Sequence, residues 1–411
     1  MNARVCVVTA GHLSTCPRML KAADALAGAG YDVRVVSTNH TPWAAVADRK
    51  VLATRAWGST VVDYDRDTAR LTQVATGVRF RMAKALSSAM GSSRVPMPLV
   101  IRAYSRIHDE LVRAVAAEPA DFVYGGTTGA LAAVAESAAR LRVPYGIDFE
   151  DLHSAEYARD SDVTNVLAAR IERQVIGGAA FATAGSPMIA DAYERAYSVR
   201  PIPVHNTFSI AASLSTDERD DRPLRLYWFS QTLGAGRGLE DMLRGIGRMG
   251  GAVELHLRAR AIQSYLDALT SLQREVAPRL TIVPHDPAAP DDMVRLAQPY
   301  DAGLACDEPI GFNRQFCLAN KVFTYLAAGV PVIMSRTPAQ SKLETQLGDA
   351  AFGYDCGDID GVAQILTRLS SDGALRRQAR CAALIAADQR WHWEHPEDRG
   401  ALLAAVAGAI R

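Results

Sequence analysis

The stretch RVCVVTAGHLSTCPRMLKAADALAGAGYDVRVVST, residues 4–38, most constrains what this chain can fold into. A short apolar run ends at Gly11, Met19, Leu20, Ala23 and Leu26 recur at helical spacing after Pro17, and a second apolar run begins beyond Gly28 and Gly30. Such runs fit strands buried on both faces, so the pattern reads as a strand-helix-strand unit. The right-handed crossover of that unit brings the turn after the first strand to the carboxyl edge of a parallel sheet, where open α/β sheets bind ligands.

The pattern recurs in two series. DFVYGG, TGALAAVAESAARLRV, PYGIDFED, AAFATAGS and PMIADAYERAY continue the first; PLRLYWFSQ, GLEDMLRGIGRM, VELHLRAR, RLTIVPH, YDAGLACDE, NKVFTYLAAG and VPVIMS form the second. Between them AASLSTDERDDRP, residues 211–223, is polar and reads as a linker. At 411 residues the chain exceeds one ordinary core. The expectation is an α/β protein of two Rossmann-like domains, 1–208 and 222–385, facing across a cleft, with 386–411 a helix crossing back to the first.

Charge excludes some functions. Lys and Arg total 45 against 45 Asp and Glu, so no surplus of cations marks a non-specific nucleic-acid binder. Cys6, Cys16, Cys306, Cys317, Cys356 and Cys381 are scattered without metal-ligand spacing, which points to a reducing cytoplasm and no metal site. The first residues show no basic-then-apolar leader, and no apolar run reaches bilayer-spanning length, so a cytoplasmic location is expected. Residues 66–113 carry nine basic side chains against three acidic ones, interleaved with apolar residues. That region reads either as a solvated helical face or as peripheral contact with the inner membrane face and an anionic or lipid-linked acceptor.

Four stretches carry chemistry. The opening turn lacks G-x-G-x-x-G, so it is not a dinucleotide turn; Gly11 either lets a ligand approach closely or makes a tight connection, with His12 an exposed loop residue. In WFSQTLGAGRGLEDML the strand is expected to stop at Ser230, and Gly234, Gly236 and Gly238 surround Arg237 before an amphipathic helix. Backbone N–H groups, a helix N-terminus and a guanidinium together suit an anion such as phosphate. In RQFCLANKVFTYLAAGVPVI a helix from Asn320 closes at Gly329, with Cys317, Leu318 and Ala319 offering backbone donors and Lys321 a charge. PYGIDFEDLHSAEY gathers Asp148, Glu150, Asp151, His153 and Glu156 at a strand end, suited to proton handling or to a helix cap with solvated acids around it. Asp63, Asp65 and Asp67 in DYDRD read as a solvated charge run, and His392 and His395 lack further metal ligands.

The R-G-L-E turn and the N-K-x-F-x-Y-x-A-A-G-x-P-V-I run resemble those of glycosyltransferases of the GT-B fold, specifically the retaining GT4 family, and the resemblance covers nearly the whole chain. It implies a nucleotide-sugar in the C-terminal domain as substrate and an acceptor in the N-terminal domain: a glycan, a glycolipid or a natural product. It also implies transfer with retention, no cofactor and no metal. The leaving phosphate helps to take the acceptor proton. Arg237 matches the basic residue that grips the donor diphosphate, with Gly234, Gly236 and Lys321 beside it, and Gly11 with His12 matches the N-domain turn abutting donor sugar and phosphate. His153 matches a histidine beside the reacting sugar, with Asp151 or Glu150 orienting it. Gln231, Cys317, Leu318, Ala319, Asn320 and Thr324 fall where donor nucleotide or sugar is held. Departures from the pattern are Gln231 in place of an Arg, and Phe316 and Thr324 in place of two Glu. They keep in view a non-catalytic sugar-nucleotide or carbohydrate-binding partner with a degraded site; a sugar-nucleotide 2-epimerase, which shares the architecture, is a second rival that the R-G and N-K runs count against.

Overall fold

The structure, a computed structural model, describes residues 2–91, 94–157, 159, 162–211 and 223–410; residues 212–222 of the expected linker lie outside the described residues. The chain divides into two compact units.

The first unit comprises Met1–His205 with Gly311–Asn313 and Pro396–Arg411. Its strands are β1 (Arg4–Thr9), β2 (Asp32–Asn39), β3 (Gly58–Asp63), β4 (Phe122–Gly126), β5 (Tyr145–Phe149), β6 (Phe181–Ala184) and β7 (Ile202–Pro203). They pair in parallel in the order β3-β2-β1-β4-β5-β6-β7. Val5, Val7 and Val8 of β1 are all buried, as a central strand covered on both faces requires.

A buried ion pair ties helix Pro17–Gly28 to this sheet. Arg18 donates from Nε and Nη2 to Asp148 at 2.8 and 2.5 Å and from Nη1 to the Val204 carbonyl at 2.6 Å. Thr183 donates to the same carboxylate at 2.6 Å. Burial works against the charge on Arg18, but the adjacent Asp148 outweighs it and holds the guanidinium more firmly protonated than usual.

The second unit comprises Asn206–Ile310 and Arg314–His395. Strands β8 (Leu224–Leu233), β9 (Val253–Ala261), β10 (Leu280–His285), β11 (Ala302–Ala305), β12 (Val332–Ser335) and β13 (Ala351–Tyr354) are parallel in the order β10-β9-β8-β11-β12-β13. Leu226 and Trp228 enter one core with Leu255 and Leu304, while Tyr227 between them enters the other with Tyr325 and Met334. Successive residues of a strand point to opposite faces, so both sides of the sheet are filled. β8 does not stop at Ser230: it continues to Leu233 through a register shift between Phe229 and Thr232. An irregularity of this kind lets a strand bend without ending.

Helix Asn320–Ala327 lies close to the sheet because β11 carries Gly303, where a Cβ would come within 2.3 Å of the Tyr325 ring. The Tyr325 hydroxyl donates to the carbonyls of Tyr227, at 3.1 Å, and Leu304, at 3.3 Å. Residues 386–411 are not one helix. Gly373–Gln389 ends first, Pro396–Gly400 forms a wide turn, and Ala401–Ile410 packs on helix Pro17–Gly28 and β6 of the first unit. Pro396 lacks the N–H that a continuous helix needs. Among the described residues no helix is long and apolar enough to cross a membrane.

Because Arg18 and Asp148 are 5% and 1% exposed, Arg18→Ala leaves an unpaired carboxylate in the interior. The expected loss is about 3–5 kcal/mol of stability, read by urea unfolding of wild type and variant. An unchanged midpoint would refute the role given to this pair.

Candidate active site

Strand order reverses between β8 and β11 in the second unit, so the turns that follow them diverge and leave a crevice at the carboxyl edge. The glycine turn after β8 closes over the end of β11. Gly236 and Gly238 have φ of 75° and 66°, and a Cβ on Gly238 would lie 2.0 Å from the Cys306 carbonyl oxygen. Only glycine fits there. Helix Leu239–Met249 begins at once, leaving Arg237 on the turn.

Arg237 and Lys321 converge on one carboxylate. Arg237 Nη1 donates to Asp307 Oδ1 and Lys321 Nζ to Asp307 Oδ2, each at 3.2 Å. Burial pushes the Asp307 carboxyl up, but the charges of Lys321 and Arg237 outweigh it and hold it below the ordinary range. Lys321 is buried, with Nζ 5.6 Å from the Trp228 ring centroid, whereas the Arg237 side chain is 34% exposed. Two fixed cations sharing one carboxylate carry a net positive charge toward an arriving oxyanion.

The other positions expected in this unit are placed as follows. Gln231 is exposed at the irregularity in β8. Cys317, Leu318 and Ala319 are partly buried ahead of helix Asn320–Ala327, with Ala319 its extended N-cap and Asn320 its first residue. Thr324 is fully buried, and its hydroxyl donates to the Asn320 carbonyl one turn back at 3.4 Å. Phe316 ends the short helix Gly311–Phe316. Gly234 is partly buried in the glycine turn.

In the first unit the order reverses between β1 and β4. His12 is not an exposed loop residue but is 2% exposed. Its Nε2 accepts from the His40 and Thr41 N–H groups at 3.2 and 3.1 Å, which places the ring proton on Nδ1, donated to Asp48 at 2.7 Å. Both ring nitrogens are therefore engaged in bracing the turn. Burial would raise the Asp48 carboxyl, yet hydrogen bonds from His12 and Ser14 bring it below its usual value. At Gly11 a Cβ would meet nothing nearer than Thr15 Oγ1 at 3.8 Å, so packing does not demand glycine there. Thr127, just past β4, holds a left-handed φ of 74° and accepts from the Ala10 N–H at 3.3 Å. Such a conformation is costly for a β-branched residue and concentrates at functional sites.

His153 lies on a single helical turn, His153–Ala155, and is 2% exposed. Its Nδ1 bonds Glu156 Oε1 at 2.7 Å, so the orienting partner is Glu156 and not Asp151 or Glu150. The turn brings residues three apart together, which an extended strand cannot do. Glu172 fixes the turn from beneath, accepting from Ser154 N at 3.0 Å, Tyr193 at 2.7 Å and Tyr197 at 2.8 Å. Burial opposes a charge on His153, but its hydrogen bond with Glu156 and the nearby carboxylates outweigh it and raise the pKa to about 9. Its Nε2 is buried and has no partner among the described residues, so a cationic N–H meets no acceptor there. Burial raises Glu150 to about 7. Asp148 belongs to the Arg18 pair instead of a proton-handling cluster.

DYDRD is not a solvated run. Asp63 accepts from Asn39, Asp65 N and Thr68, and the buried Asp65 accepts from Asp67 N, so these acids shape a turn. His392 Nδ1 donates to the Ala387 carbonyl at 2.7 Å. Among the described residues no cluster of three or more His, Cys, Asp or Glu is placed to hold a metal ion. Sequence reasoning missed Asp307, Arg18 and Thr127. An acid directly after an apolar strand was a local signal for Asp307; nothing local marked the others.

No family model and no curated protein matches the sequence. Solved structures do match over its length. HepE (Alr3699) of Anabaena, solved with UDP-glucose, is 15% identical and aligns over 100% of this chain and 99% of its own with a TM-score of 0.70. The fold is GT-B. A variant of S. aureus TarM, solved with fondaparinux, α-GlcNAc-glycerol and UDP, aligns over 100% of both chains at 8% identity and a TM-score of 0.64. The lipopolysaccharide outer core galactosyltransferase WaaB, in its apo form, aligns over 98% of this chain and 99% of its own at 11% identity and a TM-score of 0.59.

The raised pKa of His153 makes a signed prediction. Its stabilising contribution is fully present below its unfolded value of 6.5 and is lost as pH rises through about 9. Glu156→Gln removes the main prop, and the His153 imidazole should then titrate at least about one pH unit lower, followed by NMR. An identical titration in the variant would refute the assignment of Glu156.

Proposed function

We propose that the protein is a glycosyltransferase that moves a hexose from a UDP-sugar to a hydroxyl of a glycan, glycolipid or natural product. The observation that carries this reading is the convergence of Arg237 and Lys321 on Asp307 at the strand-order reversal of the second unit. A donor diphosphate takes over the two cations from Asp307, and amides of the Gly234–Gly238 turn bind its oxygens. The UDP bound to HepE and TarM supports uridine as the base.

As the bond from the anomeric carbon to the diphosphate breaks, Arg237 and Lys321 stabilise the charge that develops on the leaving oxygen. The diphosphate takes the acceptor proton, so no side-chain nucleophile is required. Two protein cations supply the charge that a metal ion supplies elsewhere, and we propose metal-independent transfer. In the first unit, His153 donates from Nε2 to a sugar hydroxyl while Glu156 balances its charge. Retention of anomeric configuration is proposed on the sequence resemblance to GT4 enzymes. The six free cysteines suit a cytoplasmic setting.

One observation favours a second reading. Thr324 and Phe316 stand where a working donor site in that family holds carboxylates, and the Thr324 hydroxyl is spent on its own helix. A protein that binds sugar nucleotides without turnover fits that feature.

Calorimetry with UDP-, GDP- and ADP-sugars, followed by release of UDP in the presence of candidate acceptors, tests both. UDP-sugars should bind best, and Arg237→Ala should weaken them at least about tenfold, as loss of a charge-assisted contact implies. NMR of the product should show the donor's anomeric configuration. Binding without transfer or UDP release would select the second reading, and no binding of any nucleotide-sugar would overturn both.

A further inference from the structure

Helix Arg70–Met90 faces the wrong way for an ordinary soluble helix. Its buried positions, Thr76, Gly77, Ala83 and Ser87, are small or polar, and Arg106 donates to Thr76 Oγ1 at 3.0 Å along that inner side. Its outward positions carry Leu71, Val74, Val78, Met82, Leu86 and Met90, exposed by 43% to 88%. Spacings of three and four residues put them on one stripe, opposite the buried set. Among the described residues fourteen large apolar side chains are exposed, and this one helix holds six of them. A contiguous apolar stripe of this kind marks a surface with a partner.

Charge identifies the partner. The helix contains Arg70, Arg79, Arg81 and Lys84 and no Asp or Glu. Arg79 is committed to Glu110 and Asp109. Arg70, Arg81 and Lys84 are exposed and form no ion pair with the described residues, and Arg66 and Arg94 stand exposed beyond the two ends. At 100° per residue Arg70 and Arg81 fall beside the apolar stripe and Lys84 further round. A second copy of this chain would bring like charges together. An anionic lipid surface satisfies both the stripe and its cations.

We propose that this face docks on an anionic bilayer, with the helix lying in the interface, Leu71, Val78 and Met82 in the acyl boundary, and Arg70 and Arg81 on lipid phosphates. The helix holds none of the residues assigned to the donor, and the proposal does not depend on the glycosyl-transfer reading.

Co-sedimentation with phosphatidylcholine vesicles, with and without phosphatidylglycerol, tests it on the full chain. Wild type should bind only the phosphatidylglycerol vesicles, and less as salt rises. Val78→Asp with Met82→Asp should reduce binding at least about tenfold. Arg70→Glu with Arg81→Glu should also reduce it at least about tenfold and flatten its salt dependence. The two pairs probe different terms, and unchanged circular dichroism in each shows that folding is intact. No binding by wild type, or binding as strong as wild type by either double variant, overturns the proposal. So does a dimer in sedimentation velocity that Val78→Asp with Met82→Asp dissolves while vesicles bind none of the proteins, because the stripe then belongs to a second copy.

Discussion

Parallel pairing governs both units. Parallel neighbours cannot be joined by hairpins, so each pair needs a crossover, and the helices that supply it cover both faces of the sheet. Polar groups then have few places to go except the strand ends. Thr9, Asp148 and Thr183 are buried at the carboxyl ends of β1, β5 and β6, and Asp307 follows β11 by two residues. The two reversals of strand order, β1 with β4 and β8 with β11, are where adjacent turns part and leave room for a ligand.

The two charged clusters are built on the same chemistry and end differently. Around Asp148 each guanidinium nitrogen of Arg18 has an acceptor and Thr183 donates to the same carboxylate, so the cluster serves the fold. Around Asp307 two cations share one carboxylate, and one of them remains a third exposed. His153 is the counterpart in the first unit: one nitrogen is tied to Glu156 and the other is buried without an acceptor among the described residues. A buried polar group left unspent is costly, and chemistry is the usual reason for retaining one.

Positioning comes from contacts remote from the charges themselves. Lys321 is held where it is because Tyr325, one turn on, seats its ring over Gly303 and bonds carbonyls of two strands. His153 is held because Glu172 gathers Ser154, Tyr193 and Tyr197 beneath its turn.

Features set by local chain order were legible in the sequence. The strands buried on both faces, β1, β2, β4, β5, β8 and β12 among them, are continuous apolar runs; β3, β7 and β13 went unread because they are edge strands, shorter or more mixed in pattern. The placement of Arg237 in a glycine turn and of Lys321 at a helix start was legible because both are local signals. Glu156 was passed over for Asp151 and Glu150 because only the helical turn at 153 brings it to the imidazole. His12 changed role because Asp48, from helix Pro42–Leu52, reaches its ring. The sequence by itself determined the alternation of strand and helix, the glycine turn around Arg237 and the helix start at Lys321, because each follows from spacing along the chain. Only the tertiary structure decided which carboxylate Arg237 and Lys321 share, which partner the His153 ring takes, and which side of helix Arg70–Met90 faces outward, because those depend on how the folded chain brings groups together.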